Sequence, residues 1–142
     1  ANKMVKGKVN EQDRKLLFKA GEASQKAYAP YSNYKVGAAV LWDSGLITHG
    51  CNVENASYGL ACCAERNAIF QGVALGERKI VAVAIAVREG GMPYPCGACR
   101  QVMKEFSDDC DIIISNGVQD PLKTSLGFLL PNSFGPQFLS NS

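Results

Sequence analysis

Two short stretches, Cys63-Ala64-Glu65-Arg66 and Pro95-Cys96-Gly97-Ala98-Cys99-Arg100, constrain this chain more than any other feature of its sequence. Together they carry three thiols and one carboxylate, and each sits where a helical pattern begins. Cys96 and Cys99 lie three apart at a helix start, so both can face the same way, and their spacing is that of a zinc knuckle. Cys63 offers a third ligand from a separate element. A fold that uses all three thiols must bring two helix starts to one point. Helix starts carry unsatisfied N–H groups and a partial positive charge, which favour thiolate over thiol. Three thiolates outweigh the charge of one zinc ion by one unit, and Arg66 and Arg100 are placed to balance it. Three protein ligands leave a tetrahedral zinc one position short, and catalytic sites keep that position open for water.

Glu65 lies two residues from Cys63, on a different side of the helix, so it can stand beside the open position without being a ligand. Zinc lowers the pKa of water there towards ~7, and a neighbouring carboxylate can take and return the proton. The plain alternative for Glu65 is a first-turn carboxylate favoured by the helix dipole. The thiols have alternatives too. A Cys-x-x-Cys near a strand–helix junction is also a redox dithiol motif. A closed structural zinc site would need a fourth ligand from Cys51, Cys62, Cys110 or the lone His49, none of which has a ligand-like spacing. Cys62 adjoins Cys63, and the sequence leaves open which of the two faces the metal.

Composition decides between metal and disulfides. Six cysteines in 142 residues would suit a disulfide framework in a small secreted domain. This chain instead begins with a basic stretch that has no apolar h-region, and it can bury about 70% of its unfolded surface without staples. Metal or catalysis is the expected use of the thiols, in a cytoplasmic setting. The fifteen basic residues are scattered with no stripe, which argues against a nucleic acid polymer as partner. No apolar run approaches the ~20 residues that cross a bilayer, so no membrane partner is expected.

In chain order, residues 1–10 read as a flexible N-terminal tail and 11–142 as a single domain. Residues 11–28 predict a helix capped by Asn10, with Asp13 in the first turn and Leu16, Leu17, Ala20, Ala23 and Ala27 on one face. Pro30 breaks it. Strands are expected at 36–42 and 46–52 around a three-residue Asp43-Ser44-Gly45 loop. A helix from Cys63 to about Leu75 buries Ala64, Ala68, Ile69 and Val73 and ends at Gly76. Residues 80–87 read as a strand buried on both faces. A loop at 90–95 leads to a helix over 96–106 and a strand over 111–115, and Asn116-Gly117 turns the chain. Thr124 or Ser125 opens a short helix through Leu130 that Pro131 closes, and a further strand between Val118 and Lys123 is faintly marked. This alternation predicts an α/β fold, a mixed sheet with helices on both faces.

Cysteine ligands with a neighbouring Glu follow the zinc deaminase pattern in its three-cysteine form. Over nearly the whole chain the sequence resembles the cytidine deaminase family. The resemblance runs through Tyr31-Ser32-Asn33-Tyr34-Lys35-Val36-Gly37-Ala38-Ala39, Asn52-Val53-Glu54-Asn55-Ala56-Ser57-Tyr58, the two cysteine stretches, and Leu129-Leu130-Pro131-Asn132-Ser133-Phe134-Gly135-Pro136. It implies a three-layer α-β-α sandwich with a mixed five-stranded sheet. It also implies hydrolytic deamination of cytidine and deoxycytidine to uridine and deoxyuridine, for pyrimidine salvage. By this likeness one zinc per chain is held by Cys63, Cys96 and Cys99, and Glu65 shuttles the proton. Asn52 and Glu54 match the family's ribose-binding pair, and the main chain of Ala64 meets the base. Phe134 packs on the pyrimidine from a neighbouring subunit, and Tyr58 lies in a stretch used at the shared site of a homotetramer. Two departures stand out: Tyr34 replaces the usual Phe, so its hydroxyl needs a partner, and Cys62 adds a thiol beside the ligand.

Three rival functions remain. The same chemistry could act on an aminated nucleoside antibiotic or a free base. A non-catalytic zinc-binding module would hold metal without turnover. A redox dithiol protein would cycle Cys96 and Cys99 without metal.

Overall fold

The computed structural model of the chain describes residues 7–139. Of the expected tail, residues 1–6 lie outside the described residues, while Val9 packs against the core and Asn10 caps a helix. Helix α1 (Glu11–Ser24) opens with a capping box: the Asp13 N–H donates to the Asn10 side chain at 2.8 Å, and the Asn10 N–H donates to the Asp13 carboxylate at 3.0 Å. It stops short of the expected end near residue 28. The Tyr28 N–H donates to the Asn52 carbonyl at 3.0 Å and the Tyr28 carbonyl accepts from the Glu54 N–H at 2.8 Å, a bridge towards Val53 that draws the chain out of the helix.

The five strands are β1 (Gly37–Trp42), β2 (Ile47–Cys51), β3 (Ile80–Ala86), β4 (Asp111–Ser115) and β5 (Leu122–Ser125), ordered β2-β1-β3-β4-β5. Only β3 and β4 pair in parallel, so the sheet is mixed as expected. The faint strand is real but sits later than its expected window. Its Thr124 is fully buried opposite Ile112, and Lys123 pairs with Asp13 at 2.8 Å. These tertiary partners make a strand of a polar segment.

Alternation along the strands sorts the core into two layers. Ala39, Ala82, Ala84, Ala86 and Ile113 face α1, where small side chains leave room for Leu16, Leu17 and Ala20. Ala38, Val40, Trp42, Val83, Ile85, Ile112 and Ile114 point the other way, towards α2 (Ala64–Ala74), α3 (Gly97–Glu105) and the short α4 (Leu126–Leu129). The result is a three-layer α-β-α sandwich. Two features fix α2 on the sheet. Thr48 accepts from the Trp42 indole at 2.9 Å and donates to the Ala68 carbonyl at 2.8 Å. Gly50 lies so close to the helix that a Cβ there would stand 2.6 Å from the Ala68 nitrogen.

The pairing of β1 positions the site. Its first residue, Gly37, pairs with Cys51 at the end of β2 and with Ala86 at the end of β3. Both strands therefore finish at the same edge of the sheet. The chain leaves β2 for α2, and β3 for α3, from that edge, and the two helix starts face each other there.

Candidate active site

Cys63 is the N-cap residue of α2, Cys96 is the N-cap of α3, and Cys99 lies in the first turn of α3. Their sulfurs all lie within 4.8 Å of one another, with Cys96 and Cys99 at 3.5 Å and Cys63 and Cys96 at 3.9 Å. Sulfurs at the corners of a tetrahedron with a zinc–sulfur bond of about 2.3 Å stand ~3.8 Å apart. The donor set and its spacing both fit zinc. No other group of three His, Cys, Asp or Glu ligands of this kind occurs among the described residues. All six cysteines are unpaired.

Backbone pairing sets Cys62 and Cys63 on different sides. The Cys62 N–H donates to the Val53 carbonyl at 2.9 Å and its carbonyl accepts from the Val53 N–H at 3.0 Å. This bridge holds Cys62 in extended chain, where the next side chain points to the opposite side. Cys63 faces the pair and Cys62 does not. Cys51, Cys110 and His49 also stand outside the cluster. Cys110 is a buried core thiol whose pKa burial pushes up to about 12.

The Cys63 thiol is held down at about 5, chiefly by the neighbouring Cys99 thiol and then by a hydrogen bond from Arg66. Arg66 Nη2 stands 3.4 Å from Cys63 Sγ, so one expected counter-charge is in place. Arg100 is not: its Nε donates to the Pro95 carbonyl at 2.7 Å and its Nη1 to the Leu129 carbonyl at 2.8 Å. It ties the C-terminal segment to α3 instead of facing the sulfurs.

Glu65, in the first turn of α2, is only 5% exposed. Burial raises its carboxyl to about 7. It borders a cavity of about 230 Å³ together with Cys63, Ala64, Cys96, Tyr34 and Asn52. The volume suits a ligand smaller than a typical drug. Sequence reasoning missed the apolar walls of this cavity, Val36, Ile85, Pro93 and Tyr94. Only Pro93 and Tyr94 carried a signal, their place in the loop leading into Pro95-Cys96.

Residues 10–115 match the family described as the cytidine and deoxycytidylate deaminase zinc-binding region. A cytidine deaminase of Sporosarcina psychrophila is 42% identical over 89% of this chain and 93% of its own length. One of Halalkalibacterium halodurans is 44% identical over 86% of this chain and 94% of its own. Among solved structures, the cytidine deaminase of Burkholderia pseudomallei superposes with a TM-score of 0.81 at 48% identity, covering 85% of this chain and 98% of that one. The chain belongs to the cytidine deaminase family. The match spans the three thiols and Glu65, and the family's zinc-binding description agrees with the donor set found at the two helix starts.

The remaining residues singled out by the cytidine deaminase resemblance fall into two groups. Asn52 and Glu54 grip the segment that carries Tyr34. The Asn52 amide donates to the Tyr34 carbonyl at 2.8 Å and accepts from the Val36 N–H at 2.8 Å. The Glu54 carboxylate accepts from the N–H groups of Tyr31 and Ser32 at 3.0 and 3.1 Å and from the Ser32 hydroxyl. That hydroxyl bond is the main reason its pKa lies below the usual value. The Tyr34 hydroxyl is pushed up by burial and by the nearby charge of Glu65. Tyr58 and Phe134 stand away from the cavity, 77% and 58% exposed. Tyr58 meets Tyr31 edge-on at 6.0 Å, and Phe134 stacks on Phe138 at 5.6 Å.

Proposed function

We infer that this chain hydrolyses cytidine and deoxycytidine to uridine and deoxyuridine, releasing ammonia, as an enzyme of pyrimidine salvage. The observation that carries this reading is the buried carboxyl of Glu65 at the wall of a small cavity, beside three thiols spaced for one zinc. Zinc bound there, one per chain and held by Cys63, Cys96 and Cys99, would supply Lewis acidity that makes water nucleophilic near neutral pH.

The chain's own residues do the rest. Glu65 takes a proton from the attacking water and passes it to N3 of the pyrimidine. It then takes the second proton of that water and delivers it to the departing amino group. The C4–O bond forms, the C4–N bond breaks, and Glu65 ends as the carboxylate it began as. The Arg66 guanidinium offsets the surplus negative charge of the thiolates. Tyr34 forms a side of the base site, and the main chain of Ala64 meets the base. Asn52 and Glu54 bind the sugar 3′-hydroxyl, which both donates and accepts. Each keeps capacity for this, since an amide offers two donors and two acceptor positions and a carboxylate about four acceptor positions.

The exposed rings of Tyr58 and Phe134 suit a homotetramer in which a neighbouring chain completes each site. Six unpaired thiols support a cytoplasmic location. No helix among the described residues is long and apolar enough to cross a membrane. The test is the loss of cytidine absorbance when purified zinc-loaded protein is added. Turnover of cytidine and deoxycytidine is expected. Stoichiometric zinc with no turnover would leave a non-catalytic zinc-binding module, and turnover of other aminated substrates alone would move the activity to another ligand.

A further inference from the structure

We propose that Ser32 is a positioning residue for the substrate cavity, joining Glu54 to the backbone of Tyr34. The proposal rests on the deaminase reading above. The Ser32 hydroxyl donates to Glu54 Oε2 and accepts from the Tyr34 N–H at 3.0 Å. A hydroxyl has one proton to give and two lone pairs to offer, so a single side chain serves both partners. The main-chain N–H of Ser32 adds a bond to Glu54 Oε1 at 3.1 Å.

Tyr34 is thereby held at both of its backbone polar groups. Ser32 takes its N–H, and the Asn52 amide donates to its carbonyl at 2.8 Å. Asn33 between them takes a positive φ of 59°, a left-handed turn that Asn tolerates better than most residues. The turn aims Tyr34 into the cavity that Glu65 and Cys63 border. Ser32 itself is exposed and does not line that cavity. Its influence runs through the partners it holds: the carboxylate oriented towards the sugar and the ring beside the base. Without the hydroxyl, the Tyr34 N–H loses its acceptor and Glu54 loses its one hydroxyl donor, a charge-assisted bond. Both groups then sample more orientations before substrate binds.

The experiment compares wild type, Ser32→Ala, Ser32→Thr, Glu54→Gln and the Ser32→Ala/Glu54→Gln pair. The readouts are cytidine kinetics, zinc per chain, thermal midpoint and binding of the product uridine. Ser32→Ala should raise KM and weaken uridine by about three- to tenfold, the range of one net hydrogen bond. Its kcat should stay within about twofold of wild type, as for lost binding that is equal in ground and transition states. Zinc content should not change. Ser32→Thr, which keeps the hydroxyl, should recover most of the loss. On the Glu54→Gln background, Ser32→Ala should add clearly less than it does alone, because the two act as one unit. Unchanged KM in Ser32→Ala overturns the proposal, as does an equal loss in Ser32→Thr. Loss of zinc and of kcat in step with a lowered thermal midpoint also overturns it, since that pattern marks a merely structural role. A wild type that does not deaminate cytidine overturns the underlying reading and this proposal together.

Discussion

Replacing Glu65 with Gln isolates the proton chemistry from everything else the residue does. The side chain keeps its length and shape, so no void opens at a position only 5% exposed. Burial, which disfavours the charged carboxylate, does not oppose a neutral amide, and the thermal midpoint should hold or rise. The amide can still donate and accept hydrogen bonds, but it cannot carry a proton from water to the base. If Glu65 were only a first-turn carboxylate, the loss would be that of a helix-dipole contact, about 0.3–1 kcal/mol of stability with little change in rate. One general acid–base role is worth roughly 10²–10⁴ in rate, or about 2.7–5.4 kcal/mol of barrier. Glu65 is assigned two proton relays, from the water to N3 and from the same oxygen to the leaving amine, so the loss should reach or exceed the top of that range. The assay is turnover of cytidine by Glu65→Gln protein, with zinc per chain and uridine affinity measured on the same sample. Zinc and affinity should persist, because the proposed mechanism gives the carboxylate no place among the ligands and assigns the sugar contacts to Asn52 and Glu54. A fall of less than tenfold with zinc in place would refute the mechanism.

Other outcomes follow from the same geometry. Cys63→Ala should lower both zinc content and thermal midpoint, whereas Cys62→Ala should keep zinc near one per chain; full zinc in Cys63→Ala would move the ligand to Cys62. Phe134→Ala should weaken cytidine binding with zinc retained, and mixing it with Glu65→Gln under subunit exchange should restore activity if Phe134 serves a neighbour's site; a fully active monomer in light scattering would rule this out. Gly50→Ala places a methyl group 2.6 Å from the Ala68 nitrogen, so α2 must shift, and about 1–3 kcal/mol of stability should be lost in denaturant unfolding, as for overpacking elsewhere. An unchanged midpoint there would mean that α2 is not clamped where Gly50 and Thr48 place it.

Elements marked by a continuous apolar run or by a local cap were legible in the sequence. The run at Ile80–Ala86 and the capped start of α1 are of this kind. Where a boundary depends on a partner far away in the chain, local pattern failed. The end of α1 is decided by Tyr28 reaching Asn52 and Glu54, and β5 exists because Lys123 finds Asp13 and Thr124 finds a place opposite Ile112. In the site, the thiols were legible because metal chemistry demands particular residue types at particular spacings. The side on which Cys62 lies was not, since it hangs on a bridge to Val53. Nor was the direction of Arg100, whose two carbonyl partners belong to Pro95 and Leu129. Ile85 and Val36 gave no signal as cavity walls because an apolar side chain reads the same in a wall as in a core.

The meeting of the two helix starts is a consequence of topology and could not be read from either cysteine stretch alone. A hairpin returns β2 along β1, so the end of β2 must lie beside Gly37. On its other side β1 could in principle have paired with β3 in either direction. The observed antiparallel register, Gly37 with Ala86 and Val40 with Val83, brings the end of β3 to the same edge. Had β3 paired in parallel, Ile80 would stand beside Gly37 and the chain would leave β3 at the far edge. Seven residues of strand at ~3.3 Å each span about 23 Å, and the segment before Cys96 would have to run back along the whole strand to bring Cys96 and Cys99 to Cys63. A short connection suffices to bring three sulfurs within 4.8 Å because β3 runs in this direction, and the same direction puts Ile85, next to Ala86 at that edge, among the walls of the cavity.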